Sequence, residues 1–397
     1  MTALPSGILV INGGSSSFRF AMYDRDDMVF PRLSGKLDRI GVGKSMLTYQ
    51  EARQSSQKEM WLEAKDQKTA VGELTRWLDS RDVFGQVRAI GHRIVHGMGH
   101  GEPLRLNSNL IEELKRNASY APDHLPSELE MVEAISERFP HIPQIACFDT
   151  AFHANLPQVA RMLPLPRRFD AQGIRRYGFH GLSYSFLMEA LVEKEGKEAA
   201  SGRIILAHLG NGASLAAVKG GQCLDTSMGF TPAGGLVMGT RPGDLDPGVL
   251  VYLLQHEGVS TDRLNQIINH ESGLIGLSGT TSDMRDLIRR QETDSRAKEA
   301  IDFFCYQARK WIGAFSAALN GLDILIFSGG IGEHSDPVRA RICEGLDYLG
   351  IKLDVQRNRS HAEIISSKES KVRVRVMQTD EERMMAGLTN HLVPIEN

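Results

Sequence analysis

Two short apolar runs, each followed by a glycine-bearing turn and a second apolar run, constrain this fold more than any other feature of the sequence. Residues 8–11 (ILVI) lead into the turn 12–17 (NGGSSS) and then into the alternating segment 18–23. Residues 204–207 (IILA) lead into 208–214 (HLGNGAS) and then into 215–218 (LAAV). A strand, a glycine turn and a strand predict a β-hairpin. We therefore predict an internal duplication, in which each of two α/β lobes opens with such a hairpin.

A third glycine-rich segment has a different context. Apolar residues recur at helical spacing from Ile301 to Leu319, and a buried strand is predicted at 324–327. The loop 328–335 (SGGIGEHS) follows, and Asp336-Pro337 begins another helix. A strand, a glycine loop and a helix N-terminus are a common way of holding a nucleotide against backbone amides.

Composition excludes several classes of protein. The 397 residues carry 46 Lys plus Arg and 49 Asp plus Glu, which excludes a nucleic-acid binder acting through bulk positive charge. The 41% hydrophobic residues exclude a disordered chain. The sequence shows neither a signal peptide nor an apolar run that could span a membrane, so no membrane partner and a cytoplasmic location are expected. The spacing of the four cysteines (Cys147, Cys223, Cys305 and Cys343) indicates neither a zinc site nor a disulfide framework.

The first turn and two arginines are candidates for binding anions. Glycine amides and the hydroxyls of Ser15 and Ser17 suit phosphate oxygens, although an ordinary polar turn has the same composition. Arg93 and Arg241 lie among glycines and small residues, where a guanidinium suits carboxylate and phosphoryl oxygens. A loop ion pair is the alternative for either arginine.

Acidic residues end one predicted strand and begin one predicted helix. Asp149 follows the strand 144–148, at the edge where α/β sheets bind ligands. Thr379-x-x-Glu382 has the spacing of a capping box, which would leave Glu381 for a metal ion or its waters.

A second predicted capping box, Ser127-x-x-Glu130, opens a helix before the strand 144–148. His124, His180 and His208 lie outside any metal-binding spacing, and each has the alternative of a structural hydrogen bond.

The motifs together resemble the acetate kinase family of short-chain acyl kinases over nearly the whole length. They occur in one order along the chain: VINGGSSS (10–17), GHRIVHG (91–97), FDTAFH (148–153), YGFHG (177–181), HLGNGAS (208–214), DTSMG (225–229), MGTR (238–241), SDMR (282–285), GIGE (330–333) and TDEE (379–382).

This resemblance implies the duplicated two-lobe fold of actin, sugar kinases and Hsp70, a ribonuclease H-like α/β fold with a central cleft. The expected lobes are 1–149 closed by the C-terminal helix 380–397, and a nucleotide-binding lobe 150–379. The implied reaction is ATP plus a short carboxylate giving ADP plus an acyl phosphate. Mg²⁺ is the implied metal, with Mn²⁺ as an alternative, and the implied assembly is a cytoplasmic homodimer.

The resemblance also implies roles for individual residues. Asn12 and Glu381 match the magnesium-site residues, and Arg93 and Asp149 match the substrate arginine and the catalytic carboxylate. His180 and Arg241 match the groups that stabilise the transition state. Val95, Phe179 and Pro232 match the apolar pocket for the acyl tail. The implied nucleotide contacts are Ser15, Ser17, Arg19, His208, Leu209, Gly210, Asn211, Gly212, Asp283, Met284, Arg285, Gly330, Ile331, Gly332, Glu333 and His334.

Elementary chemistry agrees with these roles. A carboxylate substrate is ionised at pH 7 and needs no strong base, whereas two anions brought together need positive charge between them.

Several positions depart from the family pattern. Asp123 replaces an apolar residue beside the acyl pocket, Leu125 replaces an asparagine, Arg19 a lysine and His334 an asparagine. These changes leave acyl specificity open, so a kinase for propionate or another small acid is the alternative to an acetate kinase. A non-catalytic, nucleotide-driven scaffold of the same fold is the alternative of another class.

Overall fold

The computed structural model describes residues 6–14, 17–40, 44–52, 56–122 and 124–393, apart from the side chain of Gln67. The chain divides into two compact units, unit 1 (Met1–Ala151 with Asp380–Asn397) and unit 2 (Phe152–Thr379). The sequence-based boundary at 149/150 lies two residues before the end of the first segment of unit 1.

Unit 1 is built on an eight-stranded sheet of order β5-β4-β3-β2-β1-β6-β8-β7. Strands β1 and β2 form an antiparallel hairpin, while β1 with β6 and β6 with β8 are parallel. The first predicted hairpin is therefore confirmed. The strands are β1 (Gly7–Gly13), β2 (Phe18–Asp24), β3 (Leu33–Asp38), β4 (Ser45–Glu51), β5 (Lys58–Leu62), β6 (Val87–Ile94), β7 (Leu104–Arg105) and β8 (Gln144–Phe148).

Unit 2 is built on a five-stranded sheet of order β11-β10-β9-β12-β13. Strands β9 and β10 form the second predicted hairpin, and β12 lies parallel to both β9 and β13. The strands are β9 (Arg203–Leu209), β10 (Ala213–Lys219), β11 (Gln222–Thr226), β12 (Ile324–Ser328) and β13 (Arg373–Val376).

Helices surround both sheets. They are α1 (Gln67–Asp79), α2 (Val83–Gln86), α3 (Ser108–Arg116), α4 (Leu125–Arg138), α5 (Gln158–Arg161), α6 (Arg167–Ala171), α7 (Gly181–Ala200), α8 (Pro247–Gln255), α9 (Thr261–Gln266), α10 (Gly273–Ser278), α11 (Met284–Arg290), α12 (Ser295–Ala318), α13 (Gly329–His334), α14 (Asp336–Cys343), α15 (Val355–Arg359) and α16 (Glu381–Leu392). None of the helices in the described part of the chain is long and apolar enough to cross a membrane.

The C-terminal helix α16 packs against β1, β6 and β8 of unit 1. The approach is close at Gly91 on β6, where a Cβ atom would lie 2.2 Å from Oγ1 of Thr389. Met384, Met385 and Thr389 are buried in this contact. Helix α16 thereby places its first turn, with Glu381 and Glu382, near the end of β1.

Two predicted capping boxes are wrong. Helix α4 begins at Leu125, with His124 as its N-cap residue, so Ser127 lies inside the helix and its hydroxyl donates to the His124 carbonyl at 2.8 Å. Helix α16 is capped by Asp380 instead of Thr379, because the Asp380 carboxylate accepts the Arg383 amide at 2.8 Å.

The third glycine segment differs from its prediction in one respect. The predicted strand β12 and helices α12 and α14 are present, but the loop between β12 and α14 is itself the short helix α13. Gly329 has a left-handed φ of 75°, and a Cβ atom there would lie 2.7 Å from the Leu209 carbonyl oxygen. Glycine is therefore required where β12 turns into α13.

Candidate active site

Two acidic side chains at the start of α16 meet the end of β1. The Asn12 amide nitrogen donates to Oε2 of Glu381 at 3.0 Å and to Oε1 of Glu382 at 3.2 Å. Burial and the neighbouring Glu381 charge raise the pKa of Glu382 above its ordinary value, while Arg19 and the Asn12 hydrogen bond oppose the shift. A divalent cation would relieve this repulsion between like charges.

These residues fit a magnesium ion. Magnesium prefers hard oxygen ligands and takes only one or two carboxylates from a protein, with water and substrate phosphates completing its shell. Glu381, a predicted metal residue, would supply one carboxylate, and the donation from the Asn12 amide nitrogen leaves the Asn12 carbonyl oxygen available as a further ligand. Glu382, assigned to capping from the sequence, belongs to this cluster as well. No group of three His, Cys, Asp or Glu placed to hold a metal occurs in the described ranges.

Arg93, at the end of β6, is held by the carboxylate that follows β8. Its Nη2 atom donates to Oδ2 of Asp149 at 2.8 Å, and its Nη1 atom donates to the Gly13 carbonyl at 3.2 Å. The Asp149 side chain is 1% exposed and that of Arg93 is 15% exposed. The parallel pairing of β1, β6 and β8 brings these three chain positions to one edge of the sheet. The predicted substrate arginine and catalytic carboxylate therefore form one buried pair.

A second acidic residue beside Arg93 was not predicted from the sequence. Glu128, on α4, lies with its Oε1 atom 3.7 Å from Nη1 of Arg93, and its Oε2 atom accepts the Val95 amide at 2.9 Å. Burial raises the pKa of Glu128 to about 7, with Arg93 and the Val95 hydrogen bond opposing the shift and Asp149 adding to it. No sequence signal indicated this residue, because both of its partners lie more than thirty residues earlier in the chain.

Other predicted residues of unit 1 have clear positions. Arg19 is exposed on β2, opposite Asn12 on β1, and the Ser17 carbonyl accepts the Gly14 amide at 2.8 Å. Val95 is buried. Ser15, a predicted nucleotide contact, and Asp123, the departure beside the acyl pocket, lie outside the described residues.

In unit 2, a chain of hydroxyl groups holds His180 before α7. Its Nδ1 atom lies 2.8 Å from Oγ of Ser214, and that oxygen lies 2.5 Å from the Tyr184 hydroxyl. When Tyr184 donates to Ser214 and Ser214 donates to Nδ1, neutral His180 carries its proton at Nε2. His180 has a left-handed φ of 60° and its ring stacks on that of His208, with centroids 4.3 Å apart. The Nε2 atom is then a hydrogen-bond donor.

Arg241 and His180 converge on Gly212, in the turn of the second hairpin. A Cβ atom at Gly212 would lie 3.0 Å from Nη2 of Arg241 and 3.2 Å from Nε2 of His180. The Nη1 atom of Arg241 donates to the Pro232 carbonyl at 2.6 Å. A guanidinium and the Nε2 atom of an imidazole therefore stand beside the same stretch of bare backbone, an arrangement suited to phosphoryl oxygens.

A cavity of about 740 Å³ lies next to this turn. Residues from each of the three predicted nucleotide segments line this cavity. The predicted contacts that do not line it are His208, Leu209, Gly212, Gly332 and Glu333. The predicted residues that line it are Gly210, Asn211, Asp283, Met284, Arg285, Gly330, Ile331 and His334.

Asp283 and Arg285 form an ion pair at the N-terminus of α11. The Asp283 carboxylate accepts the Arg285 amide at 2.8 Å and an Arg285 guanidinium N–H at 2.6 Å. These bonds to Arg285 lower the pKa of Asp283 to about 2, against a smaller effect of burial. The Arg285 side chain is 84% exposed, so its guanidinium can turn toward a bound anion.

Glu333 and Arg339 hold α13 in place. The Glu333 carboxylate accepts the Gly329 amide at 2.9 Å, so it stabilises the turn between β12 and α13. The Arg339 guanidinium is fully buried and donates to the carbonyls of Gly332 and Glu333 at 2.8 and 2.9 Å. It also donates to the Asn358 carbonyl at 2.8 Å, and burial lowers its pKa to about 10.

The remaining predicted pocket residues of unit 2 are held through their backbones. The Phe179 side chain is buried, and its carbonyl oxygen lies 3.0 Å from Nε2 of His153, which is itself 2% exposed. His153 belongs to one of the sequence motifs but had no predicted role. In the structure its ring holds the backbone of Phe179 in place. The Pro232 carbonyl accepts from Arg241.

Comparisons with known proteins match nearly the whole chain. A model of the acetokinase family matches residues 7–387. An acetate kinase of Coprothermobacter proteolyticus is 40% identical over 401 residues, covering 97% of this chain and 98% of that protein. An acetate kinase of Clostridium novyi is 40% identical over 400 residues, covering 98% of this chain and 99% of that protein.

Solved structures give the same result. A propionate kinase from Francisella tularensis has a TM-score of 0.91 and 34% identity, covering 98% of this chain and 100% of that chain. An acetate kinase from Porphyromonas gingivalis has a TM-score of 0.88 and 34% identity, with the same coverage. The duplicated α/β fold predicted from the sequence is confirmed.

Proposed function

The chain belongs to the acetokinase family, and we propose that it is a phosphotransferase that moves the γ-phosphoryl group of ATP to the carboxylate of acetate. The products are ADP and acetyl phosphate. The observation that carries the proposal is the convergence of Arg241 and His180 on the backbone of Gly212, because phosphoryl transfer is accelerated chiefly by positioned positive charge and hydrogen-bond donors.

In unit 1, Arg93 binds the substrate carboxylate. Its guanidinium is fixed by Asp149 and by the Gly13 carbonyl, so it presents its remaining edge in a defined orientation. Asp149 removes no proton in this scheme, since the substrate is already ionised at neutral pH. Its role is to orient Arg93 and to balance its charge.

Asn12 and Glu381 would hold Mg²⁺, with Glu382 beside them, and Mn²⁺ would serve with the same oxygen ligands. The metal supplies charge neutralisation at the phosphate oxygens of the nucleotide. The carboxylates of Glu381 and Glu382 also attract cations to this position when no nucleotide is bound.

In unit 2, Arg241 and His180 stabilise the phosphoryl group in flight. Charge spreads over its three equatorial oxygens, and the guanidinium fork with the Nε2–H of His180 offers donors to them. The cavity beside Asn211 and Gly330 takes the nucleoside of ATP. We infer direct in-line transfer, for which a chiral γ-phosphate is expected to give inversion at phosphorus. Net retention would indicate a phosphoenzyme instead.

The acyl group is expected to contact Val95, Phe179 and Pro232. The similarity to the Francisella tularensis propionate kinase keeps propionate as the second candidate substrate. One methylene in an apolar pocket changes kcat/KM by about 10- to 200-fold, so the two substrates are distinguishable.

A panel assay tests the proposal. The purified protein is supplied with ATP, Mg²⁺ and formate, acetate, propionate or butyrate, and the acyl phosphate is trapped with hydroxylamine. The highest kcat/KM is expected for acetate. A maximum at propionate selects the second candidate. If no acid gives a hydroxamate although ATP binds, the catalytic proposal fails and the scaffold alternative takes its place.

We further propose that the enzyme is a cytoplasmic homodimer. Support for a cytoplasmic location comes from the four cysteines, which are all buried free thiols. Support for a dimer comes from α8, an apolar helix with no buried residue, on which Val249, Val251 and Tyr252 are 45–53% exposed. A second copy of the chain would cover this surface. Sedimentation should therefore show a dimer for the wild type and a monomer for the double variant Val249→Glu with Tyr252→Glu.

A further inference from the structure

Glu128 lies next to two residues that are predicted to bind the substrate, Val95 and Arg93. One of its carboxylate oxygens accepts the amide of Val95, the residue expected to line the acyl pocket. The other oxygen lies 3.7 Å from the guanidinium of Arg93, the residue expected to bind the carboxylate. A single side chain of α4 thus connects the apolar and the charged parts of substrate recognition.

One oxygen of Glu128 has no hydrogen bond to any residue that the structure describes. The side chain is 2% exposed, and this oxygen is the buried Oε1 atom. A Cβ atom on Gly13 would lie 3.5 Å from the Cγ atom of Glu128, so the β1 turn packs directly against this side chain. A buried carboxylate oxygen with no donor is unfavourable when ionised, and it becomes a hydroxyl when protonated. Because Oε2 already accepts an N–H, the proton belongs on Oε1.

The charge balance gives the reason for protonation. Arg93 carries one positive charge and faces two carboxylates, those of Asp149 and Glu128, and Glu381 also acts on it. Asp149 is the closer partner and makes the hydrogen bond. The substrate brings another carboxylate to the same guanidinium. One arginine cannot balance all of these anions in a buried site.

Other charged groups around α4 are engaged elsewhere along the helix. Asp79 on α1 pairs with Arg138 at 2.6 Å, and Lys115 on α3 pairs with Glu133 at 2.6 Å. Among the described residues, the charged side chains that act on Glu128 are those of Arg93 and Asp149.

We propose that Glu128 is a positioning residue whose protonation sets the affinity of Arg93 for the carboxylate substrate. Protonated Glu128 leaves the Arg93 charge to the substrate, whereas ionised Glu128 competes for that charge at 3.7 Å. This inference rests on the proposed acyl kinase activity and adds a pH-dependent control of substrate binding to it.

The expected pH range follows from burial. Since burial raises the pKa of Glu128 to about 7, its protonated fraction falls about tenfold between pH 6 and pH 8. The substrate acids stay ionised throughout this range. The KM for acetate of the wild type is therefore expected to rise by up to about tenfold from pH 6 to pH 8, while kcat at saturating acetate changes much less.

Glu128→Gln tests the proposal. Glutamine keeps an oxygen that can accept the Val95 amide and mimics the neutral acid, so its KM for acetate is expected to stay low and flat from pH 6 to pH 8. Glu130→Gln is the matched control, since Glu130 is exposed on the same helix, and it should keep the wild-type profile. A rise of KM in Glu128→Gln equal to that in the wild type would overturn the proposal.

An infrared measurement keeps the proposal testable if the variant does not fold. The wild-type protein, measured with and without acetate, should show a protonated buried carboxyl band that is present at pH 6, is lost by pH 8 and is restored in part by acetate. Absence of that band at pH 6 in protein that phosphorylates acetate would reject the role of Glu128 and leave the proposed activity intact. Failure of the protein to phosphorylate any acid would instead reject the proposed function.

Discussion

Five strands of the sheet in unit 1 have the same order as the five strands of unit 2, but the first hairpins of the two sheets end beside different chemical groups. In each, three antiparallel strands (β3-β2-β1 and β11-β10-β9) are followed by two parallel ones (β6-β8 and β12-β13). The first hairpin ends beside Asn12 and the acids of α16, whereas the second ends at Gly212 beside Arg241 and His180. The repeated strand order therefore fixes the positions of the two turns. The side chains around each turn decide whether it suits a cation or an anion.

The two arginines express this difference most clearly. Arg93 is held by the carboxylate of Asp149, with Glu128 nearby, while Arg241 donates to the carbonyl of Pro232. A guanidinium tied to buried acids is suited to recognising a ground-state carboxylate within a balanced cluster. A guanidinium that donates to a carbonyl and stands beside the His180 ring and the Gly212 backbone is suited to stabilising an anion that develops during the reaction.

The largest effect is expected at Arg241. Replacing Arg241 by Ala should lower kcat by about 10²–10³-fold, because charge stabilisation in the transition state is lost. ATP affinity, measured by calorimetry, should change little, and Arg359→Ala, an exposed arginine in α15, should behave as the wild type. Equal losses in kcat and ATP affinity would assign Arg241 to ground-state binding and break the contrast with Arg93.

Arg93→Ala should weaken binding of acetate, in contrast to Arg241→Ala. The KM for acetate is expected to rise about 10²-fold, because a buried hydrogen-bonded charge is removed and Asp149 loses its partner. Steady-state kinetics with varied acetate measures this, and the KM for ATP should stay near its wild-type value. Arg105→Ala, which removes an exposed arginine on β7, is the control. A loss confined to kcat would contradict the assigned role.

The acid cluster of unit 1 should also give stability a pH dependence. A carboxyl whose pKa is raised from 4.5 to about 7 in the folded protein binds its proton more tightly there than in the unfolded chain. Its contribution is therefore present below pH 4.5 and is lost as the pH rises to about 7, by up to about 3 kcal/mol in the free energy of unfolding. Urea unfolding of the wild type and of Glu128→Gln at pH 5, 6, 7 and 8 should show the variant gaining relative stability as the pH rises. Parallel curves for the two proteins would show that Glu128 is not the titrating group.

The smallest effect is expected in the hydroxyl chain of unit 2. Ser214→Ala removes the group that fixes His180 at Nδ1, and kcat should fall about tenfold, as for other outer hydrogen-bond partners of functional histidines. Ser183→Ala is the matched comparison, since the Ser183 hydroxyl lies 2.8 Å from Nδ1 of His208, and it should raise the KM for ATP more than it lowers kcat. Identical kinetic changes in both variants would remove the distinction between the two histidines.

Much of this architecture was predictable because it depends on local patterns. The hairpins of β1–β2 and β9–β10 follow from apolar runs on either side of glycine turns, and α12 follows from its helical periodicity. Asp149 was expected at the ligand-binding edge of the sheet, and parallel strands do bring their carboxyl ends to that edge; its ion pair with Arg93 was not predicted.

The failures have two physical causes. A Ser or Thr three residues before Glu is compatible with several helix starts, and the two helices begin directly after His124 and Asp380 instead. Glu128 acts through Arg93 and Val95, more than thirty residues earlier in the chain, so no local pattern could reveal it.

The burial of Arg339 has a consequence for nucleotide binding. This side chain joins the last turn of α13 to α15, and its donors go mainly to carbonyl oxygens. The wall at Gly330 and Ile331 of the cavity proposed to bind the nucleoside therefore owes its shape to a residue that does not line the cavity. Among relatives, ATP affinity would then depend on this buried arginine as well as on the residues that line the cavity. Substitutions of Arg339 would weaken ATP binding in the same way as substitutions in the cavity wall.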